Sequence, residues 1–169
     1  VQLDVSVDTD IANLARREAD VAIRVSAAPP DTLIGRRIAH VAMAIYRAAG
    51  EHAPLQGVDT LYRENWVALS DGFGETSVGR WTSLNVPDHR VVLRTNSFLS
   101  LTRAAVAGIG LAAVPIYLGD SLPDLQRASP LIPLQPRPSL WLLSHRDLKR
   151  TARVRAFVDF AAAALKRVG

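Results

Sequence analysis

The stretch from Arg94 to Pro115, RTNSFLSLTRAAVAGIGLAAVP, constrains the fold more than any other part of this chain. It predicts the end of a strand, a polar turn, a helix, a glycine pair and a second apolar strand that ends at proline. This order places the N-terminus of a helix, with its unpaired backbone N–H groups, beside the end of a strand. Such a corner is a common place for an α/β protein to hold a small anion, and the stretch has no catalytic constellation. It therefore indicates binding rather than chemistry.

The composition excludes several classes of protein. The 169 residues are 49% hydrophobic, which is enough for a substantial core in one domain or in two small lobes. The absence of cysteine excludes disulfides and thiol catalysis, and the four scattered histidines have no metal-ligand spacing, so we predict no metal and no cofactor. No apolar run approaches the roughly 20 residues that span a bilayer. The chain has no initiator Met or signal-peptide pattern at its start, so we expect a fragment or trimmed product of something longer.

The charge balance is modestly basic. Lys and Arg number 20 and Asp and Glu 16, which gives a formal net charge of +4. A positive charge favours approach to nucleic acid or to an acidic ligand. Because no dense Lys/Arg cluster is interleaved with aromatic residues, we favour a soluble basic surface over a nucleic-acid site.

Hydrophobic patterning predicts repeated strand–helix units. Alternating residues predict a strand over 1–7, and Asp8, Thr9 and Asp10 begin a helix that leads to a second strand over 20–25, parallel to the first. The later elements are listed in chain order: a long strand over 38–46, a short helical turn over 58–62, a strand over 66–69, a helix over 75–84, a strand over 91–93, a helix over 97–107, strands over 111–114, 131–134 and 139–144, and a final helix capped by Thr151. This organisation predicts a parallel-rich α/β protein of two lobes. We expect the chain to cross between the lobes near 39–45 and 140–146 and the last helix to pack on the N-terminal unit.

The segment Gly108–Ala113 matches the dinucleotide-binding pattern G-x-G-x-x-A as text. That fingerprint must follow a strand and open a helix, whereas here the first glycine ends a helix. We therefore interpret Gly108 as a helix C-cap in the left-handed conformation.

Polar residues follow three predicted strands and form the candidate binding corners. Thr95, Asn96 and Ser97 precede a helix. They either cap the helix and do nothing more, or cap it and also hold a ligand carboxylate, and both interpretations stay open. Ser70 and Asp71 occupy the equivalent corner of the preceding unit, and Ser6 to Asp8 that of the first. Asp71 would repel an anion but would hold an ammonium group, so a zwitterionic ligand fits as well.

Charged residues outside these corners have simpler interpretations. Asp71 and Glu75 form a carboxylate pair, which we interpret as cap and dipole partners rather than as acid–base catalysts. For the arginines at the first crossing, salt bridges are favoured over a ligand clamp. These arginines are Arg24, Arg36, Arg37 and Arg47.

Three segments resemble the effector-binding domain of LysR-type transcriptional regulators. They are NLARREADVAIRV with the later LIGRRIAHVAMAIYRAAGEH, then RTNSFLSLTRAAVAGIGLAAVP, and SLWLLSHRDLKRTARVRAFVDFAAAAL. Together they span most of the chain in the family's order. The resemblance implies a type II periplasmic-binding-protein-like fold of two Rossmann-like α/β subdomains joined by two crossover strands. Subdomain I would comprise residues 1–40 plus 145–169, without its first strand and helix, and subdomain II residues 41–144.

By position, the resemblance implies an effector site between the subdomains. Its residues would be Thr95, Asn96, Ser97, Phe98, Ser70, Asp71, Phe73, Val7 and Asp8. The family's winged helix-turn-helix lies outside these residues, so DNA would be bound only through that absent part.

The leading hypothesis is therefore the effector-sensing and oligomerisation domain of a cytoplasmic bacterial regulator. It would bind a carboxylate or amino-acid-like effector, form dimers or tetramers, and make or break no bond. The alternative is an extracytoplasmic solute-binding protein of the same fold. A small α/β enzyme is a third class, disfavoured because no nucleophile, base and orienting group can be assembled.

Overall fold

A computed structural model describes residues 2–7, 19–50 and 61–165. The chain divides into unit 1, Val1–Val41 with Pro138–Gly169, and unit 2, Ala42–Arg137. Within the described ranges the strands are β1 (Val21–Ser26), β2 (Leu33–His40), β3 (Met43–Ala48), β4 (Trp66–Leu69), β5 (Val91–Thr95), β6 (Leu111–Pro115), β7 (Leu125–Leu131) and β8 (Ser139–His145). The helices are α1 (Ser77–Asn85), α2 (Phe98–Val106), α3 (Ile116–Gly119) and α4 (Ala152–Leu165), with 3₁₀ turns at Asp71–Phe73, Asp88–Arg90 and Arg146–Arg150.

Unit 1 is a three-stranded antiparallel sheet covered by the C-terminal helix. The strand order is β1-β8-β2, so β8 is the middle strand and pairs on both sides. Ala161 and Ala162 of α4 pack against Leu142 of β8, with Val21 and Phe157 at the margin. The expectation that the last helix packs on the N-terminal unit is confirmed.

Unit 2 is a five-stranded mixed sheet in the order β5-β4-β6-β3-β7. The first three strands are parallel, and β3 runs antiparallel to both β6 and β7. The chain leaves β4 through α1 to reach β5 on one side, then returns through α2 to reach β6 on the other side. Apolar strands such as β6, which is buried along its whole length, fit this central position. Leu101 and Ala105 of α2 pack on the sheet around Val67 and Val114.

The helix and strand of the Arg94–Pro115 stretch form as the sequence predicts. Ser97 is the N-cap of α2, and its Oγ accepts a hydrogen bond from the backbone N–H of Ser100 at 3.4 Å. Gly108 has φ +74°, the left-handed conformation that glycine adopts without steric cost. Its N–H donates to the carbonyl of Ala105 at 3.0 Å. The C-cap interpretation of Gly108 is therefore confirmed.

The N-terminal prediction is wrong where the structure describes it. Residues 2–7 form no strand and are exposed, and β1 pairs with β8 in antiparallel orientation rather than with a parallel first strand. Alternation stabilises a strand only where a neighbouring edge accepts its backbone hydrogen bonds. No strand of the described ranges pairs with residues 2–7. The predicted helix over 8–18 and most of the turn over 58–62 lie outside the described residues.

Three other strand predictions are corrected. The predicted long strand over 38–46 is two strands, β2 and β3, separated at Val41 and Ala42 and placed in different sheets. The strand predicted over 131–134 lies earlier, at β7, which is an edge strand and so tolerates Pro130. The sheets are mixed and antiparallel rather than parallel-rich. Both neighbours of β8 are in unit 1, which resumes at Pro138.

Candidate functional site

Two of the predicted polar corners are neighbours in unit 2. β4 and β5 are adjacent parallel strands in which Leu69 lies opposite Thr95, so both chains turn at the same edge of the sheet. The N–H of Ser70 donates to the carbonyl of Thr95 at 2.8 Å. This hydrogen bond joins the two corners directly.

Aromatic contact links the two corners a second time. Phe73 ends the 3₁₀ turn after β4, and Phe98 is the first residue of α2. Their rings meet edge to face, with centroids 6.4 Å apart and planes at 78°. This arrangement is a favoured aromatic geometry. It places an apolar surface beside the polar groups of both corners.

The polar groups of the second corner already make local hydrogen bonds. The N–H of Ser97 donates to Thr95 Oγ1 at 3.3 Å, and Ser97 Oγ accepts the cap bond from Ser100. Both bonds are long for hydrogen bonds, and in each the hydroxyl oxygen accepts, so the O–H remains a donor for a ligand. Asn96 is exposed. The first N–H groups of α2 have no partner within the helix.

The first corner contributes a carboxylate that does not cap the following helix. Asp71 begins the 3₁₀ turn and is exposed, whereas α1 is capped by Thr76, whose Oγ1 accepts from Gly79 N–H at 3.1 Å. The cap interpretation of Asp71 and Glu75 is therefore wrong for α1, because helix formation starts two residues later than predicted. Asp71 therefore places an exposed carboxylate beside the polar corners.

A shallow groove of about 210 Å³ lies beside the first corner. Ser70 and Asp71 are the two predicted site residues that line it. The remaining lining residues come from β4, the turn after it, α1, the segment between α1 and β5, and β5: Leu69, Gly74, Gly79, Thr82, Ser83, Val86, Asp88, Val91 and Arg94. Arg94 is held there by Asp88, with Nη2 and Oδ1 2.6 Å apart. Sequence reasoning missed this ion pair, since nothing in the pattern indicated that residues six apart across a turn would meet.

The third predicted corner belongs to unit 1 and is described only in part. Val7 is 98% exposed, and Asp8 lies outside the described residues. Of the four arginines considered for a ligand clamp, Arg36 forms an ion pair with Asp159, with Nη1 and Oδ1 2.7 Å apart. The salt-bridge interpretation is confirmed for Arg36.

The topology of unit 2 adds a residue that the sequence analysis missed. The strand connections reverse direction on either side of β4, so a crevice is expected outside the carboxyl ends of β4 and β6. β6 ends at Pro115, and α3 begins there. Ile116 and Leu118 pack against the core, while Tyr117 is 41% exposed. Partial burial raises the pKa of Tyr117, so it is a neutral hydrogen-bonding group at physiological pH. An aromatic residue just after a strand-ending proline was the signal available in the sequence.

A buried tyrosine holds the end of α3 in place. Tyr46 of β3 is 1% exposed, and its hydroxyl donates to Asp120 Oδ1 at 2.6 Å. Arg127 of β7 donates from Nε to the Tyr46 hydroxyl at 3.2 Å and also pairs with Asp120. Burial, then the bond to Asp120, raises the pKa of Tyr46 to about 12. The hydrogen bonds from Arg127 and then Tyr46 lower the pKa of Asp120.

Two kinds of site are absent from the described residues. No group of three or more His, Asp or Glu side chains in these ranges is arranged to hold a metal ion. No helix in them is long and apolar enough to cross a membrane.

Comparison with known proteins gives a consistent result. The family profile described as LysR substrate binding domain matches residues 1–166. No curated protein sequence matches the chain. Among solved structures, the effector domain of AmpR from Pseudomonas aeruginosa superposes with a TM-score of 0.72 at 16% identity, covering 95% of this chain and 79% of that chain.

Two further solved structures share the fold. The AmpR effector-binding domain from Citrobacter freundii gives a TM-score of 0.76 at 15% identity, over 98% of this chain and 84% of that chain. The CcmR regulatory domain from Synechocystis, solved in complex with 2-PG, gives a TM-score of 0.69 at 17% identity, over 90% of this chain and 76% of that chain. The likeness supports the periplasmic-binding-protein-like fold, and the match to the LysR substrate binding domain does not favour the solute-binding alternative.

Proposed function

The chain belongs to the LysR substrate-binding family and is the effector-binding domain of a transcriptional regulator. We propose that its two joined polar corners bind the carboxylate of a small effector. One observation carries the proposal: the Ser70 N–H to Thr95 carbonyl bond joins the two strand ends at one edge of the sheet. A ligand that contacts one corner is then also within reach of the other.

The chemistry of the corners fits a carboxylate. The hydroxyls of Thr95 and Ser97 and the unpaired N–H groups at the start of α2 are hydrogen-bond donors, and the positive end of the helix dipole favours an anion. Asn96 adds an exposed amide. The Phe73 and Phe98 rings offer an apolar surface for the carbon skeleton of the ligand.

Asp71 narrows the class of ligand. An exposed carboxylate beside an anion site opposes a purely anionic ligand but attracts an ammonium group. An amino-acid-like effector satisfies both corners at once. We include Val7 and Asp8 in the proposed site because the family resemblance places their segment of the chain at the effector cleft.

The proposed mechanism is a population shift. An effector that prefers one arrangement of the two subdomains biases the oligomeric regulator, and with it sequence-specific DNA binding by a winged helix-turn-helix. No bond is made or broken in this scheme, and the regulator acts in the cytoplasm.

A thermal-shift screen tests the proposal. A panel of carboxylates and amino acids is added to the protein; a ligand at one hundred times its Kd stabilises the folded state by about 2.7 kcal/mol, or about 5–10 °C in Tm for a chain of this size. In the Ser97→Ala and Thr95→Ala variants we expect Kd for the best ligand to rise about 10- to 100-fold, since each loses a hydrogen bond to a charged group.

Ser121→Ala is the matched control. Ser121 is an exposed serine of unit 2 outside both corners, and its hydroxyl donates to the carbonyl of Leu118. Its removal should leave the Kd unchanged. Equal Kd values in all three variants would place the effector elsewhere.

A further inference from the structure

The chain's excess positive charge is concentrated in one short segment of unit 1. Residues 146–155 contain five basic residues, Arg146, Lys149, Arg150, Arg153 and Arg155, and one acid, Asp147. Their balance is 5 − 1 = +4, which equals the formal net charge of all 169 residues, so the rest of the chain has 15 bases and 15 acids. We call these ten residues the basic segment.

The basic segment is exposed and compact. It comprises the 3₁₀ turn Arg146–Arg150 and the first turn of α4, and all five of its basic residues are exposed. At a rise of about 2.0 Å per residue in a 3₁₀ turn and about 1.5 Å in an α-helix, the path is roughly 15 Å long. Five cations therefore lie within a length over which duplex DNA presents about nine phosphates.

Local stability does not explain this placement. The first turn of α4 contains no acidic residue, and it carries Arg153 and Arg155. Cations at a helix N-terminus oppose the helix dipole. The unpaired N–H groups at this helix start add further positive potential to that of the side chains.

Nearby acids only partly neutralise the segment. Arg153 Nη2 lies 3.3 Å from Asp20 Oδ2, and Asp159, one turn after Arg155, is paired with Arg36. Arg146 Nη2 contacts the carbonyl of Asp31 at 3.4 Å. Lys149, Arg150 and Arg155 are thus the three cations best placed for an external partner.

We propose that the basic segment is a docking surface for the phosphate backbone of double-stranded DNA. It would give this regulator a sequence-independent DNA contact in addition to its sequence-specific domain. The segment contains no aromatic residue, which disfavours single-stranded nucleic acid, because that is bound largely by base stacking. The proposal goes beyond effector sensing, and its test needs no effector.

The test is the salt dependence of binding between the protein and a fluorescent 30-base-pair duplex of arbitrary sequence, measured by anisotropy from 25 to 200 mM NaCl. If four phosphates are neutralised, log Kobs falls with log [NaCl] with a slope of about −3.6. In a Lys149→Gln/Arg150→Gln/Arg155→Gln variant the slope should weaken by about 2.7, which is about 0.9 for each lost contact.

A control variant likewise loses three positive charges, but in unit 2 instead of the basic segment. Arg63→Gln/Arg103→Gln/Arg137→Gln removes three exposed arginines of unit 2 and should leave the slope unchanged. If the triple variant of the basic segment fails to fold by circular dichroism, the single variants Arg150→Gln and Arg155→Gln replace it, each with an expected loss of about 0.9 in slope.

Three outcomes overturn the proposal. One is no duplex binding at 25 mM NaCl. Another is an equal loss of slope in both triple variants, which would indicate overall charge alone. The third is binding of poly-glutamate that depends on the basic segment while duplex binding does not, which would assign the surface to an acidic protein partner.

Discussion

Tyr46→Phe removes one hydroxyl from the contact that holds α3 against the sheet of unit 2. The side chain is 1% exposed, and its hydroxyl donates to Asp120 at 2.6 Å and accepts from Arg127 at 3.2 Å. Phenylalanine fills nearly the same volume, so the substitution tests these hydrogen bonds with little change in packing.

The cost at neutral pH should be modest. Hydrogen bonds to charged groups contribute about 1.5–3 kcal/mol. Asp120 and Arg127 keep each other as partners, and their side chains are 47% and 43% exposed, so water replaces part of what they lose. We therefore expect the free energy of unfolding to fall by about 1–2 kcal/mol, which corresponds to about 3–6 °C in Tm.

The difference in free energy of unfolding between the wild-type protein and the Tyr46→Phe variant should shrink at alkaline pH. The pKa of Tyr46 is raised to about 12 in the folded state, above its ordinary value of 10.0. The stabilisation from the neutral phenol is complete below pH 10 and is lost as the pH rises through 12, because the unfolded chain releases the proton first. By pH 11 the wild-type protein should lose about 1.4 kcal/mol, the equivalent of one pKa unit.

Urea unfolding at pH 7 and at pH 11, followed by tryptophan fluorescence, measures the effect. Every other ionisable group is common to both proteins, so the change in their difference reports the Tyr46 phenol alone. We expect the wild-type advantage to be close to zero at pH 11. An advantage of the same size at both pH values would refute the argument from burial and hydrogen bonding.

Two packing and capping predictions can be measured in the same way. In Gly119→Ala the added Cβ would overlap the ring of Tyr46, so we expect a loss of about 1–3 kcal/mol in the free energy of unfolding; an unchanged urea midpoint would show that α3 moves away freely. Thr76→Ala removes the cap of α1, whose Oγ1 accepts from Gly79 N–H at 3.1 Å, and should cost about 1 kcal/mol. Thr76→Ser keeps the hydroxyl and should restore most of the urea midpoint, and a serine variant as unstable as the alanine one would contradict the capping role.

The centre of unit 2 could be predicted from the sequence because its signals are local. Ser97 marks the start of α2, Gly108 marks its end, and an unbroken apolar run predicts β6. Two of the polar corners also follow from local order, since each comes directly after a strand. That they touch through Ser70 and Thr95 depends on β4 and β5 being neighbours, which is a matter of pairing.

The errors arise where pairing between distant residues decides the structure. The pattern over 38–46 is apolar apart from His40, so it gives no sign that β2 and β3 pair in different sheets. Residues 2–7 alternate like a strand but have no partner edge in the described ranges. The Tyr46 hydroxyl bonds to Asp120, which is 74 positions away in the sequence, and to Arg127, which is 81 positions away. No local pattern encodes contacts between residues so far apart.

The position of β8 has a consequence for the order in which the protein is made. Unit 2 is one uninterrupted segment, whereas unit 1 is completed by residues that follow it. In the described part of the chain, β1 and β2 pair only with β8, so neither has a strand partner until residues 139–145 have left the ribosome. Although domains usually fold in the order of synthesis, here the inserted unit is finished before the one that contains it. In a nascent chain that stops after Arg137, β1 and β2 would lack the edges of β8, and exposed strand edges are open to pairing with other chains.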